Sequence, residues 1–69
     1  MKVLNKASDK LSETETEVYA LLCKGLSNEE IATIRNVSIN TIKTQLKSIF
    51  IKLNVKNRTA AVSKHNLKK

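Results

Sequence analysis

The feature that most constrains the fold of this 69-residue chain is a short break between two helical patterns within residues 27–53. Asn36 lies at the break, and Asn tolerates the left-handed backbone conformation of a chain reversal better than most residues. Ser38 is suited to cap the next helix, because its hydroxyl accepts a bond from a free backbone amide. The apolar residues that follow recur at steps of four, three and four: Ile42, Leu46, Ile49 and Leu53. This spacing predicts a helix over about residues 39–53 with one buried face, joined to the preceding helix by a tight turn.

Capping signals predict two further helices before this turn. Ser12 and Glu15 match a capping box at the start of the first helix, and Gly25 is suited to end it. Ser27 and Glu30 repeat the capping box and predict the start of the second helix. We expect the second helix to cover about residues 28–34 and to bury Ile31, Ala32 and Ile34.

The C-terminal part of the chain predicts a fourth helix over about residues 58–66. Asn54 suits the left-handed end of the preceding helix, and Asn57 is a candidate N-cap. If Ala61 faces the core, the side chains turned toward solvent or a second copy of the chain are Val62, His65 and Asn66. The sequence thus predicts an all-α, four-helix domain with a helix-turn-helix over residues 11–67, after a loose lead-in of residues 1–10.

Length and composition favour a small domain without disulfides. A chain of 69 residues forms one small core, which leaves no room for a large catalytic cleft. Cys23 is the single cysteine and is expected to be buried or half-buried. No apolar run approaches the ~20 residues of a membrane span, and the N-terminus lacks the apolar segment of a signal peptide. We therefore expect a reduced, cytoplasmic protein without a membrane partner.

The charges are segregated along the sequence, which points to an anionic partner. The formal net charge is +7, and all six Asp and Glu residues lie in residues 1–30 together with four lysines. Residues 31–69 carry nine Lys or Arg and no acid. A positively charged surface attracts a polyanion, and neutralising its phosphates releases the counterions condensed on it. A nucleic acid is therefore the leading partner. A merely basic, solvated surface remains the alternative.

No residue set indicates an enzyme, a metal site or a cofactor. Glu13, Glu15 and Glu17 lie at a helix start, where carboxylates favour the helix dipole, and no catalytic partner lies near them in the sequence. His65 is the only histidine, and no phosphate-binding glycine loop is present. We expect no catalysis, no metal, no cofactor and no small-molecule ligand.

At this point the sequence resembles the DNA-binding domain of the LuxR/GerE family of bacterial transcription regulators. The resemblance covers about residues 11–62 and rests on separated blocks in the family's order: Leu11-Ser12 with Glu15, Glu17 and Val18; Gly25-Leu26-Ser27-Asn28 with Glu30-Ile31-Ala32; Val37-Ser38 with Thr41-Ile42-Lys43; Ile49; and Lys52-Leu53-Asn54-Val55 with Arg58 and Ala61-Val62. It implies four helices, of which the third enters the major groove and the fourth mediates dimer contacts. Arg35-Asn36 at the turn and Gln45 depart from residue types common in the family.

The resemblance also implies roles for individual residues. It assigns base contacts to Lys43, Thr44 and Lys47, and phosphate contacts to Ser27, Asn28, Thr41 and Arg58. Lysine donates to guanine O6 and N7, and threonine offers a hydroxyl and a methyl group to base edges, so the chemistry agrees. Lys52 is a further candidate for a DNA contact.

The predicted function is sequence-specific binding of double-stranded DNA as a homodimer through the C-terminal helix, which would regulate bacterial transcription, with RNA polymerase as a further possible partner. Two alternatives stay open. One is a protein-interaction module, such as an anti-activator, that keeps the fold and exposes apolar side chains such as Phe50, Ile51 and Val62. The other is a module like region four of sigma factors. Either a stand-alone regulator or a fragment of a longer one fits the sequence.

Overall fold

The computed structural model of the chain describes residues 10–67, and describes side chains as far as residue 65. The predicted lead-in therefore lies almost wholly outside the described residues. Four helices follow one another without a strand in the described part: α1 (Glu13–Cys23), α2 (Asn28–Arg35), α3 (Ile39–Leu53) and α4 (Arg58–Leu67). The predicted all-α, four-helix fold is confirmed, and α3 has the predicted bounds.

Reciprocal hydrogen bonds start α1 and α2, as their capping boxes predict. The Ser12 hydroxyl accepts a bond from the amide of Glu15 at 3.1 Å, and the Glu15 carboxylate accepts one from the amide of Ser12 at 2.9 Å. Ser27 and Glu30 make the same pair of bonds at the start of α2, at 3.1 and 2.8 Å. These bonds satisfy amides that a helix start otherwise leaves free.

Left-handed residues end the first three helices. Gly25 has φ +92° just after α1, and Asn36 and Asn54 each have φ 60° at the ends of α2 and α3. The Ser38 hydroxyl accepts from the amide of Thr41 at 3.1 Å at the start of α3, as predicted. The Asn57 side chain accepts from the amide of Ala60 at 2.8 Å at the start of α4. The turns that set the helix directions are thus the predicted ones.

The core lies where α1 and α2 pack against α3, with α4 closing one side. The helices α1 to α4 contribute these buried residues: Val18, Tyr19, Leu22, Ile31, Ala32, Ile42, Leu46, Ile49 and Ala61. Ala32 and Ala61 are both buried, as expected, and their small side chains allow the helices to approach closely. The Tyr19 hydroxyl donates to the carbonyl oxygen of Ala61 at 2.7 Å, which ties α1 to α4 with a buried hydrogen bond.

The expectation that Ile34 is buried is wrong, because its side chain is 58% exposed. The buried residues of α2 are Ile31 and Ala32. At about 100° per residue, position 34 lies about 60° from Ile31 and 160° from Ala32, and so falls outside the arc that these two residues bury. Val37, after the turn, is also exposed.

Three further observations concern the cysteine, the hydropathy of the helices and the clustering of metal-ligand side chains. Cys23 is a free, half-buried cysteine. Residues 10–67 contain no helix with the length and hydropathy of a membrane span. Within the same residues, no three His, Cys, Asp or Glu side chains come together in a way that could hold a metal ion.

Candidate nucleic-acid interface

A shallow groove between α2, α3 and the start of α4 brings together two lysines of α3 and an arginine of α4. Six residues line it: Asn28, Lys43, Leu46, Lys47, Phe50 and Arg58. We call it the cationic groove. Its lining includes three positively charged side chains and no carboxylate, while Leu46 and Phe50 supply apolar surface between them. A groove of this composition attracts an anionic, extended ligand.

Arg58 connects the start of α4 to the start of α2. Its guanidinium donates to the carbonyl oxygen of Leu26 and, at 3.5 Å, to the side-chain oxygen of Asn28. Two residues predicted as phosphate contacts, 30 positions apart in sequence, therefore lie side by side. Since a guanidinium has five N–H donors, Arg58 keeps donors for a further acceptor. The Arg58 side chain thus links α4 to the start of α2 and still has N–H donors for a ligand.

The predicted base contacts lie on the solvent face of α3. Lys43, Thr44 and Lys47 are all exposed. Three residues of α3 are buried: Ile42, Leu46 and Ile49. Among residues 10–65 the ion pairs are Arg35 with Glu17 and Lys52 with Glu15, so both exposed lysines of α3 have ammonium groups without a carboxylate partner there.

The other predicted phosphate contacts lie at helix starts. Ser27 is exposed, and its hydroxyl oxygen accepts a hydrogen bond from the amide of Glu30 in the α2 capping box. The hydroxyl proton of Ser27 is therefore still available for donation. Thr41 is half-buried at the start of α3, and its hydroxyl lies 3.0 Å from that of Ser38. The groove lining includes neither Ser27 nor Thr41. The structure therefore brings Asn28 and Arg58 together in the cationic groove, whereas the hydroxyls of Ser27 and Thr41 lie outside its lining.

The acidic residues of α2 face a different hollow. Glu29 and Glu30 line a separate shallow hollow, together with Leu26, Thr33 and Ile34. A Glu29 carboxylate in the cationic groove would repel a phosphate. Its placement leaves the groove free of negative charge.

A buried carboxylate holds the C-terminal half of α3 against α1. Glu15 is 9% exposed and accepts a bond from Lys52 Nζ at 2.7 Å and from the Ser48 hydroxyl at 2.8 Å. These bonds, with that of the Ser12 amide, hold the pKa of Glu15 at about 2 against an ordinary 4.5. The Lys52 bond is the largest cause, and burial acts in the opposite direction. Lys52, a candidate DNA contact, is thereby committed to α1.

Sequence reasoning recognised Glu15 only as a capping residue. The signal for its second role is the spacing of Ser48 and Lys52, which are four apart and so share one polar line on α3. This spacing does not determine which carboxylate contacts Ser48 and Lys52. Leu46 was likewise not predicted as a site residue, because its spacing is that of the buried face of α3. Phe50 was named only as a possible exposed apolar side chain of a protein-interaction module.

The residues predicted for a dimer interface differ in how far they are exposed. Val62 is half-buried and packs against the core, yet it also lines a hollow on the outer face of α4 with Arg58, Thr59 and Ser63. His65 is exposed, and its ring meets that of Tyr19 edge-on at 5.5 Å between centroids. The side chain of Asn66 lies outside the described residues.

Comparisons with known proteins place the sequence in context. The profile of the family described as "Bacterial regulatory proteins, luxR family" (GerE) matches residues 9–65. The response regulator protein VraR of Staphylococcus aureus is 41% identical over 70 residues, which cover 97% of this chain and 34% of that protein. The proteins of the same name from Staphylococcus saprophyticus and Staphylococcus epidermidis match with the same figures. The chain thus spans about a third of the length of these curated relatives.

Proposed function

The chain belongs to the luxR family of bacterial regulatory proteins, and on that basis we propose that it binds double-stranded DNA sequence-specifically as a homodimer and so regulates transcription. The observation that carries this proposal is the cationic groove beside the exposed face of α3. Lys43 and Lys47 line the groove and also lie on that face. A helix face of this size fits the major groove of DNA, and the flanking cations fit its phosphates.

We assign base contacts to three side chains of α3. Lys43 and Lys47 would donate to guanine O6 and N7, and Thr44 would contact a base edge through its hydroxyl or methyl group. All three are exposed, Thr44 and Lys47 on the side of α3 opposite the core and Lys43 at its flank. That exposure supports the assignment, because a side chain reads a base only if it reaches beyond the helix backbone.

We assign phosphate contacts to Ser27, Asn28, Thr41 and Arg58. The start of α2 supports this, since free amides and the positive end of the helix dipole favour an anion there. Arg58 and Asn28 lie together at that start. Their contacts would fix the orientation of α3 without reading the sequence.

We assign the dimer interface to the outer face of α4, at Val62, His65 and Asn66. The hollow beside Val62, with Thr59 and Ser63, gives the same face a surface that a second copy could fill. Two α3 helices related by a two-fold axis would address half-sites about one helical turn, ~10 bp, apart or a multiple of that. The predicted operator is therefore a palindrome.

We further propose that residues 11–67 are the DNA-binding part of a regulator that acts in the bacterial cytoplasm and contacts RNA polymerase at a promoter. The curated relatives are response regulators, of which the chain matches about a third. No catalytic role is proposed, because the matched family is one of regulatory proteins.

The protein-interaction alternative has less support. It requires apolar exposure on the last two helices, but Phe50 and Val62 are half-buried and packed against the core. Among the described residues of α3 and α4, Ile51 is the one large apolar side chain that is mostly exposed. A single exposed side chain does not form a protein-docking patch.

Selection of bound duplexes from a random DNA pool tests the proposal. The purified chain is used at about 50 and 200 mM salt. Enrichment of a two-fold symmetric motif with half-sites about one turn apart is the expected result. Salt-sensitive retention without an enriched motif would contradict sequence-specific binding and favour the protein-interaction alternative.

A further inference from the structure

Ile51 is 70% exposed, more than any other large apolar side chain of the described residues. At 3.6 residues per turn, it lies about one turn beyond Lys47 and two turns beyond Thr44, along the same line of α3. The buried residues Ile42 and Ile49 lie on the opposite side of the helix. Ile51 therefore lies on the same face of α3 as the proposed base contacts, one turn nearer the end of the helix.

The fold itself gives no reason for an isoleucine at this position. Ile51 is absent from the core and from the apolar side chains packed against it. A β-branched residue also favours a helix slightly less than lysine or glutamine does. Its apolar surface would leave water only when something covers the solvent face of α3. If α3 enters the major groove, that covering surface is the DNA.

The major groove offers an isoleucine one apolar partner. Among the base edges there, only thymine carries a methyl group, at C5, whereas lysines select guanine oxygen and nitrogen acceptors. The rise of 1.5 Å per residue places Ile51 about 6 Å along α3 from Lys47. At 3.4 Å per base, this distance corresponds to roughly two base-pair steps. A thymine in that position would meet the Ile51 side chain.

We propose that Ile51 is a specificity-determining residue that selects a thymine through its C5 methyl group, one or two base pairs beyond the guanine contacted by Lys47. The proposal rests on the proposed function, because it requires α3 to lie in the major groove. It adds a hydrophobic reading position to a site otherwise made of hydrogen-bond donors. Each half-site would then combine a guanine with a thymine at fixed spacing.

Deoxyuridine, which lacks the C5 methyl group, tests the proposal. Each thymine of the selected duplex is replaced in turn by deoxyuridine, and Kd is measured for the wild-type chain and for Ile51→Ala. The wild-type chain should lose about fourfold in affinity at one thymine of each half-site, the value of one buried methyl group. Ile51→Ala should bind the thymine and deoxyuridine duplexes equally at that position and keep its preference for guanine elsewhere.

Two control variants make the result specific. Ile34→Ala removes the same atoms from an exposed isoleucine of α2 and should keep the wild-type profile. Thr44→Ser removes the other aliphatic methyl group of the same face and should keep the sensitivity at the Ile51 position. An unchanged deoxyuridine profile in Ile51→Ala, or loss of that sensitivity in Thr44→Ser instead, overturns the assignment to Ile51 while DNA binding stands. A wild-type chain that shows no preference for the selected duplex over a scrambled one overturns the proposed function as well.

Discussion

The carboxylate of Glu15, at the start of α1, accepts a hydrogen bond from Lys52 Nζ at 2.7 Å, in the last turn of α3. Ser48, one turn earlier in α3, donates to the second carboxylate oxygen of Glu15 at 2.8 Å. A buried group thus fixes the helix that carries the proposed base contacts. The same contact pairs the charge of Lys52 with a carboxylate. Lys43 and Lys47 are therefore the cations of α3 without a carboxylate partner.

Replacing Glu15 by Gln should destabilise the domain. The substitution removes the charge that pairs with Lys52 and leaves an ammonium group poorly compensated, at an expected loss of about 1–3 kcal/mol in the free energy of unfolding. Denaturant unfolding followed by circular dichroism at neutral pH measures it. The matched control is Glu13→Gln, since Glu13 is an exposed carboxylate in the same helical turn and should change the stability little.

The pH dependence of stability should reveal the same carboxylate. The pKa of Glu15 in the folded chain is about 2, below the ordinary 4.5, so its contribution is fully present above pH 4.5. That contribution should be lost as the pH falls from 4.5 toward 2, because the unfolded state takes up a proton in this range and the folded state does not. Over this pH range, the free energy of unfolding should fall less steeply for Glu15→Gln than for Glu13→Gln. Identical acid profiles for the two variants would show that Glu15 is not held ionised by Lys52.

The local features of the fold were predictable from the sequence. Capping boxes at Ser12 and Ser27 and left-handed asparagines at Asn36 and Asn54 act over three to five residues, so their spacing alone determines them. Ile34 was wrongly expected to be buried, because in a helix of eight residues the apolar pattern is too short to define which face meets the core.

The long-range contacts could not be predicted in the same way. The bonds from Tyr19 to Ala61, from Lys52 to Glu15 and from Arg58 to Leu26 span more than 30 positions each. Which of several polar groups meet depends on the angles at which helices pack, and these angles follow from the whole core. The sequence thus predicted a cationic α3, but not the groove that α2 and α4 form beside it.

Lys47→Ala should change the sequence preference at one base position. Lys47 is exposed on α3 and lines the cationic groove, so its loss should lower discrimination at one guanine by roughly 1–3 kcal/mol and leave the other positions unchanged. Competition binding with duplexes altered at single positions measures this. The control Lys24→Ala removes the same charge from the end of α1 and should preserve the preference at every position. A uniform loss across all duplexes in Lys47→Ala would rule out base reading by this residue.

Arg58 should affect both folding and binding, and two substitutions separate the effects. Arg58→Ala should lower stability through the lost bonds to Leu26 and Asn28, weaken all duplexes alike, and reduce the salt slope of log K by about 1. Arg58→Lys keeps the charge but not the planar fork of donors, so it should lose stability and retain the salt slope. If Arg58→Lys lowers the slope as much as Arg58→Ala does, a simple charge contact is excluded.

Ser63→Glu should prevent two chains from occupying one operator. Ser63 is exposed beside Val62 on the outer face of α4, so the fold should tolerate the change, while two glutamates near a two-fold axis would repel each other. Analytical ultracentrifugation on the selected duplex should show two chains for the wild type and one for the variant. Thr14→Glu, an equal charge change on exposed α1, serves as the control. Two bound Ser63→Glu chains would argue against this interface.

Base reading by α3 in the major groove through Lys43 and Lys47 is the proposed basis of sequence recognition. Its most direct test replaces each guanine of the selected duplex by 7-deazaguanine, which lacks the N7 acceptor of the major groove but pairs normally with cytosine. Affinity should fall at one or two guanines of each half-site, and Lys43→Ala or Lys47→Ala should remove the effect at its own guanine. Full affinity for every 7-deazaguanine duplex would contradict base reading through guanine N7, because binding would then not depend on that acceptor.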